Sequence, residues 1–214
     1  LDGGNFDWGK AGADRQPALN TPDPCYGGVV WDEQVTKNMG LPFAYLLKLR
    51  TTLLRDLGGA MSPFNAWMFI QGLETLPLRM REHAKNAQQV AEFLASNKKV
   101  QSVTYPGLFE GAEKEKADKY MTGGYGALIG FELPGGKEAG SKFIDSLELL
   151  YHVANIGDSR SLAIHPATTT HSQLAPEEQL SAGVTPGYVR LSIGIENAED
   201  IIADISQAID KASK

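Results

Sequence analysis

Beyond residue 100 the apolar residues keep changing period, and that alternation constrains the fold more than any other feature. "GALIGFELPGG" at 126–136 and "GYVRLSIGIE" at 187–196 carry apolar residues at every second position, the spacing of a strand with one buried face. "KEAGSKFIDSLELL" at 137–150 and "AEDIIADISQAIDKA" at 198–212 space them three and four apart, as an amphipathic helix does. Between these lie weaker signals. "VQSVTYPG" at 100–107 and "YHVANIG" at 151–157 read as short strands. "EGAEKEKADKYM" reads as a polar surface helix, and "APEEQLSAG" as a short helix with Gly183 as its C-cap. Alternating strands and helices predict a small α/β or α+β unit, a few-stranded sheet with helices on one face. The segment 157–174, "GDSRSLAIHPATTTHSQL", reads as a loop.

The first hundred residues are different. Residues 1–40 are rich in Gly, Pro, Asp and Asn without clear periodicity, which predicts a long loop. Residues 41–56 are helical in spacing, with Leu46, Leu49, Leu53 and Leu54 on one side. "GGAMSP" at 58–63 breaks that helix, and Ser62 and Pro63 suit the N-cap and first turn of the next. That next helix spans 64–97, with a kink expected at Pro77.

Charge and composition exclude some functions. The net charge of −6 argues against a general nucleic-acid binder, which needs a basic face. No run of about 18 apolar residues predicts a membrane span. One cysteine, Cys25, leaves no internal disulfide and no multi-cysteine zinc site, so a reducing, cytoplasmic setting is expected. The start at Leu1, polar and glycine-rich, is unlike a secretory leader and reads as part of a longer or processed chain.

Four features invite a chemical reading. Arg190 is a permanent cation inside an apolar strand, sharing a face with Tyr188 and Ser192. Spacing alone leaves two readings open. One is an edge position or structural ion pair; the other is a fork for a ligand carboxylate, which matches guanidinium bond for bond. His165 and His171 flank Pro166 and a threonine run, but their spacing does not place both on one helix face, so no metal site is expected. Asn155 marks a strand end or turn. Cys25 has no neighbouring base and is not expected to act as a nucleophile. No glycine-rich phosphate loop is present.

Several stretches taken together resemble a known family: "GGNFDW", "LLRDLGGAMSPFNAWMFIQGLETLPLRMREHAKNAQQVAEFL", "YPGL", "NIGDSRSLAIHPATTTHSQL" and "GYVRLSIGIE". In order and content they are similar to the Cys/Met-metabolism family of pyridoxal-phosphate enzymes, and most to its sulfhydrylase branch that uses O-acetylhomoserine. The resemblance covers nearly all 214 residues. It implies the C-terminal part of an aspartate-aminotransferase-like (fold type I) transferase. Residues 1–65 would end the large cofactor domain, 66–77 would link, and 78–214 would form the small α/β domain. It further implies that Arg190 and Asn155 bind the substrate's α-carboxylate, with His165 and Thr170 lining the site. Family members that act as γ-lyases often carry Ser at the position of Asn155. The cofactor, pyridoxal 5′-phosphate, would be held mainly by residues outside this chain. No catalytic residue is expected here, because the family's Ser-x-Thr-Lys motif is absent and its lysine would lie upstream.

The implied reaction is γ-replacement in methionine biosynthesis. O-acetyl-L-homoserine and sulfide (or a thiol) would give homocysteine (or a homologue) and acetate. The implied partners are the N-terminal half of the enzyme and further copies in a homotetramer, with no nucleic acid and no membrane. The competing expectations are methionine γ-lyase or cystathionine γ-synthase chemistry, or a non-catalytic fragment.

Overall fold

The computed structural model describes residues 6–213, so Gly3–Asn5 of the "GGNFDW" motif lie outside the described residues. The chain divides into two compact units, Leu1–Ile70 and Gln71–Lys214.

The first unit is helical. α1 spans Trp8–Arg15 and α2 Pro17–Asn20; a 3-10 turn at Pro24–Tyr26 and a π-helical stretch at Asp32–Asn38 follow. The long loop expected over residues 1–40 is therefore corrected to short helices. Gly12, Pro17, Pro24 and Gly27 interrupt them too often for a helical period to show in the sequence. Leu19, Trp31, Val35 and Ala44 form a small core, with Trp8 stacked on Tyr45 at 5.0 Å. Asp23 accepts hydrogen bonds from Trp31 Nε1 and Lys48 Nζ, and the Lys48 bond first, then Trp31, holds its carboxyl below the usual range. The predicted helix over 41–56 is found as α3, Ala44–Lys48, continuing π-helically through Leu49–Arg55. Thr51 and Thr52 hydroxyls donate to the carbonyls of Leu47 and Lys48 at 2.9 and 2.7 Å, back-bonds that compete with the helical ladder.

α4 spans Pro63–Glu74, and the division between units falls within it. Ser62 Oγ accepts from the Asn65 N–H at 3.2 Å, the cap expected of it. α4 leaves Phe64, Trp67, Met68, Phe69, Ile70 and Leu73 all exposed. The single kinked helix expected over 64–97 is two helices, because α5 begins at Leu76 and runs to Ser96. Pro77 lacks the N–H that would continue the ladder, so it sits in the first turn of α5, where none is needed.

The second unit is the expected α/β layer pair. Its strands are β1 (Ser102–Thr104), β2 (Leu128–Glu132), β3 (Tyr151–His152), β4 (Leu162–Ile164) and β5 (Tyr188–Ser192), in the order β1-β2-β5-β4-β3. Only the β3–β4 pair is parallel. The helices are α6 (Gly111–Tyr120), α7 (Gly136–Asp145), α8 (Pro176–Ser181) and α9 (Ala198–Ala212). Ile129, Phe131, Val189, Leu191 and Ile193 join Val90 and Leu94 of α5, Phe143 of α7, and Ile201, Ile205 and Ile209 of α9 in one core. Each such side chain contributes about 1.5–3 kcal/mol by burial.

Two expectations here are corrected. α7 stops at Asp145 rather than near 150, because Asp204 takes the N–H groups of Glu148, Leu149 and Leu150. The loop expected over 157–174 contains β4, a buried three-residue strand too short to show a period.

Candidate functional site

β5 lies between β2 and β4, so hydrogen bonds on both edges fix its backbone. Arg190 is in register with Gly130 on one side and Ile164 on the other. Val189, Leu191 and Ile193 are fully buried in the helix-covered core, which forces Tyr188, Arg190 and Ser192 onto the opposite face. Gly130 is needed on that face, because a Cβ there would overlap the Tyr188 ring. Burial pushes the Tyr188 phenol above its ordinary pKa, and the Arg190 charge opposes that rise.

Arg190 is the unsatisfied group on this face. Its Nη2 donates to the Asn155 carbonyl at a long 3.4 Å, and its Nε is buried with no partner among the described residues. Among the described residues, no carboxylate lies within ion-pair distance of it. A guanidinium mounted on a rigid strand and short of acceptors has donors that match an anion with two oxygens.

Asn155 sits in the exposed segment after β3, and its own amide makes no hydrogen bond to a described residue. The structure thus brings Arg190 and Asn155 together. The Gly157 N–H donates to Ser192 Oγ at 3.3 Å, tying this segment to β5 one step along from Arg190. Met80, Met121, Leu128, Ile156 and Ser192 line an adjoining apolar cavity of about 370 Å³.

His165 is placed differently. It is 1% exposed, and its ring presses on α7 at Gly140, where a Cβ would overlap it. Its Nε2 meets the Pro186 carbonyl at 2.8 Å and its Nδ1 the Thr168 hydroxyl at 2.9 Å. The carbonyl can only accept, which assigns the proton to Nε2 and leaves Nδ1 accepting from Thr168. Burial lowers the His165 pKa below its ordinary value. Both nitrogens are engaged, so none is available to a ligand. Thr170 is exposed, and its hydroxyl pairs with His171 Nδ1 at 2.9 Å. No hydrogen bond links either residue to Arg190 or Asn155. Among the described residues, no group of three or more His, Cys, Asp or Glu side chains is placed to hold a metal.

Sequence reasoning missed Ser161 and Glu196, which flank this segment, whereas alternation had already placed Ser192 on the Arg190 face. The bond from the Ser161 N–H to Glu196 Oε1, at 2.6 Å, spans 35 residues and leaves no local signal.

The Cys/Met metabolism PLP-dependent enzyme family matches residues 25–210. The chain belongs to that family. Among the Cys/Met metabolism relatives, the O-acetyl-L-homoserine sulfhydrylase of Leptospira meyeri is 51% identical over 213 residues, covering 98% of this chain and 48% of its own. The homocysteine synthase of Schizosaccharomyces pombe is 44% identical over 212 residues, covering 99% and 48%. A Campylobacter jejuni protein, named an O-acetylhomoserine (thiol)-lyase in its crystal structure, is 43% identical with a TM-score of 0.75, covering 92% of this chain and 45% of its own. That structure carries N′-pyridoxyl-lysine-5′-monophosphate. The chain spans about half the length of the curated relatives it matches. The family and the α/β fold class expected from the motifs are both found. No described helix is long and apolar enough to cross a membrane.

Proposed function

We propose that this chain supplies the substrate-carboxylate half of a γ-replacement active site, in an enzyme that converts O-acetyl-L-homoserine and sulfide or a thiol into homocysteine or a homologue and acetate. The observation that carries this reading is the buried, unpartnered Nε of Arg190 beside the Asn155 carbonyl. Relatives named as O-acetylhomoserine sulfhydrylases and homocysteine synthases support the choice of substrate.

The residues fit the family's cofactor in one respect. An amino-acid substrate held by its amine still needs its carboxylate fixed, and Arg190 offers the donors for that. The lysine and the phosphate partners of pyridoxal phosphate belong to residues outside this chain. When bound, pyridoxal phosphate supplies an electron sink for chemistry at the substrate's α carbon. Arg190 directs Nε and one Nη at the two carboxylate oxygens, while the Asn155 carbonyl steadies Nη2. The free Asn155 amide adds a donor from the loop side. Fixing the carboxylate this way fixes the orientation of the α C–H bond, a positional contribution made before any bond changes. The adjoining apolar cavity lies one strand step from Arg190 and gives room to the acetyl end of an extended substrate.

In this reading residues 1–65 complete the large domain, 66–77 link, and 78–214 are the small domain. The exposed apolar side chains of α4 support an interface there, with the lysine-bearing half and with further copies in a cytoplasmic homotetramer.

The test uses the full-length enzyme with O-acetylhomoserine. Homocysteine formed with sulfide supports the reading. Cystathionine from cysteine, or a 2-oxo acid without nucleophile, at a higher rate than homocysteine overturns it in favour of the synthase or the lyase. A native polypeptide of only this length, by denatured mass, overturns it in favour of a non-catalytic fragment.

A further inference from the structure

The segment that brings Asn155 to Arg190 is exposed from Tyr151 to Gly157, yet the carboxylate site needs it in one place. Its position is fixed from the far end of β5. Ser161, fully buried, uses every polar atom it has. Its N–H donates to Glu196 Oε1 at 2.6 Å and its hydroxyl to Glu196 Oε2 at 2.9 Å. The same hydroxyl accepts from the Gly194 N–H at 2.9 Å, and the Ser161 carbonyl accepts from the Tyr151 N–H at 3.0 Å. Alongside it, the Ile195 N–H donates to the Ser159 carbonyl at 2.9 Å. Gly194 is required at the crossing, because a Cβ would overlap both Glu196 Oε2 and the Ser159 carbonyl.

The turn bearing Glu196 is itself held. Asn86 Nδ2 of α5 donates to the carbonyls of Gly194 and Glu196 at 3.2 and 2.8 Å. His83 Nδ1 meets the Ile193 carbonyl at 2.6 Å. The result is one connected set of bonds from α5, through the end of β5, to the Asn155 segment.

We propose that Glu196 and Ser161 are positioning residues for substrate carboxylate recognition: they lock the 155–161 segment to β5 so that Asn155 completes the Arg190 fork. A carboxylate serves here because charge-assisted bonds to an N–H and a hydroxyl are short and directional. No ion pair joins Glu196 to Arg190, so the fork stays open for substrate.

The inference rests on Arg190 taking the carboxylate, and the experiment separates the two. In the full-length holoenzyme, inhibition constants are measured for 2-aminobutyrate and for its carboxamide, whose ratio reads carboxylate recognition alone. Arg190→Ala should bring the ratio close to one. Ser161→Ala and Glu196→Gln should each lower it about tenfold, less than the roughly hundredfold that a full 1 Å misplacement can cost, while carboxamide binding changes little. The double variant Ser161→Ala/Glu196→Gln should lose no more than either single one, since both break the same link. If Arg190→Ala collapses the ratio and both other variants keep the wild-type value, the positioning role is overturned and the carboxylate reading stands. If Arg190→Ala keeps the ratio, the carboxylate reading itself falls. Equal weakening of both inhibitors in Ser161→Ala and Glu196→Gln indicates general loosening and also overturns the positioning role.

Discussion

Arg190→Met should make the protein more stable and the enzyme much worse. The reasoning starts from the unpaired Nε. A buried donor without a partner costs about 1–3 kcal/mol, and the remaining bond, to the Asn155 carbonyl at 3.4 Å, is too long to return much. Methionine keeps the length of the stem and removes every donor. Because the side chain is only half-buried, the lower end of that range applies, a gain of about 1 kcal/mol without substrate. Transition-state stabilisation should fall by about 2–5 kcal/mol, the cost of removing one partner of a buried charge pair, or about 30- to 5,000-fold in kcat/KM. The assays are the guanidinium midpoint of the ligand-free enzyme and steady-state turnover of O-acetylhomoserine with sulfide. A midpoint that falls by the equivalent of 1 kcal/mol would show that Arg190 holds the fold together, and the argument from the orphaned donor would be wrong. Unchanged kinetics would refute the carboxylate assignment.

Two further outcomes test the framework behind the site. Asp204→Asn should destabilise the protein by about 2–5 kcal/mol, since either amide orientation turns a donor toward two existing donors. Burial raises the Asp204 pKa, but its backbone N–H partners outweigh that and hold it below 3.8; its stabilisation is full above that value and lost as pH falls through the folded pKa. Acid titration followed by circular dichroism should therefore show Asp204→Asn losing less stability than wild type below pH 3.8. His165 has a folded pKa below its ordinary 6.5, so its contribution is full above 6.5 and declines as pH drops toward the folded value. Denaturation midpoints at pH 8 and pH 5.5 should lie closer together in His165→Gln than in wild type; an unchanged gap would show that another group carries the dependence.

What the sequence shows of this protein follows from how far apart the interacting residues lie. β2, β5, α7 and α9 are long enough for a period to appear, so all four are legible, as is Ser62 as a cap. β4 has three residues, all buried, and its flanking Arg160 and His165-Pro166 look like loop. The face of Arg190 is legible from alternation, whereas its missing partner is not, because an orphaned Nε is a fact about everything around it. His165 appears beside a threonine run that reads as a site wall. Its actual neighbours, Gly140 and Pro186, lie more than twenty residues away on either side, and only folding brings them to the ring. The helices of residues 8–38 are hidden for the opposite reason, since Gly and Pro cut them below the length at which a period shows.

The strand order carries a consequence for how this molecule is made. β5 is the last strand in the chain and the middle strand of the sheet. A ribosome delivers β1 with β2, then β3 with β4, as two half-ribbons whose facing edges have no partner until residue 192 emerges. Until then each half offers an open row of backbone donors and acceptors to any passing strand. The seam that closes this gap is the segment that carries Arg190. A message truncated before it yields a chain that cannot complete its sheet and that lacks the proposed carboxylate fork, so the last strand to arrive acts as a check on the finished molecule.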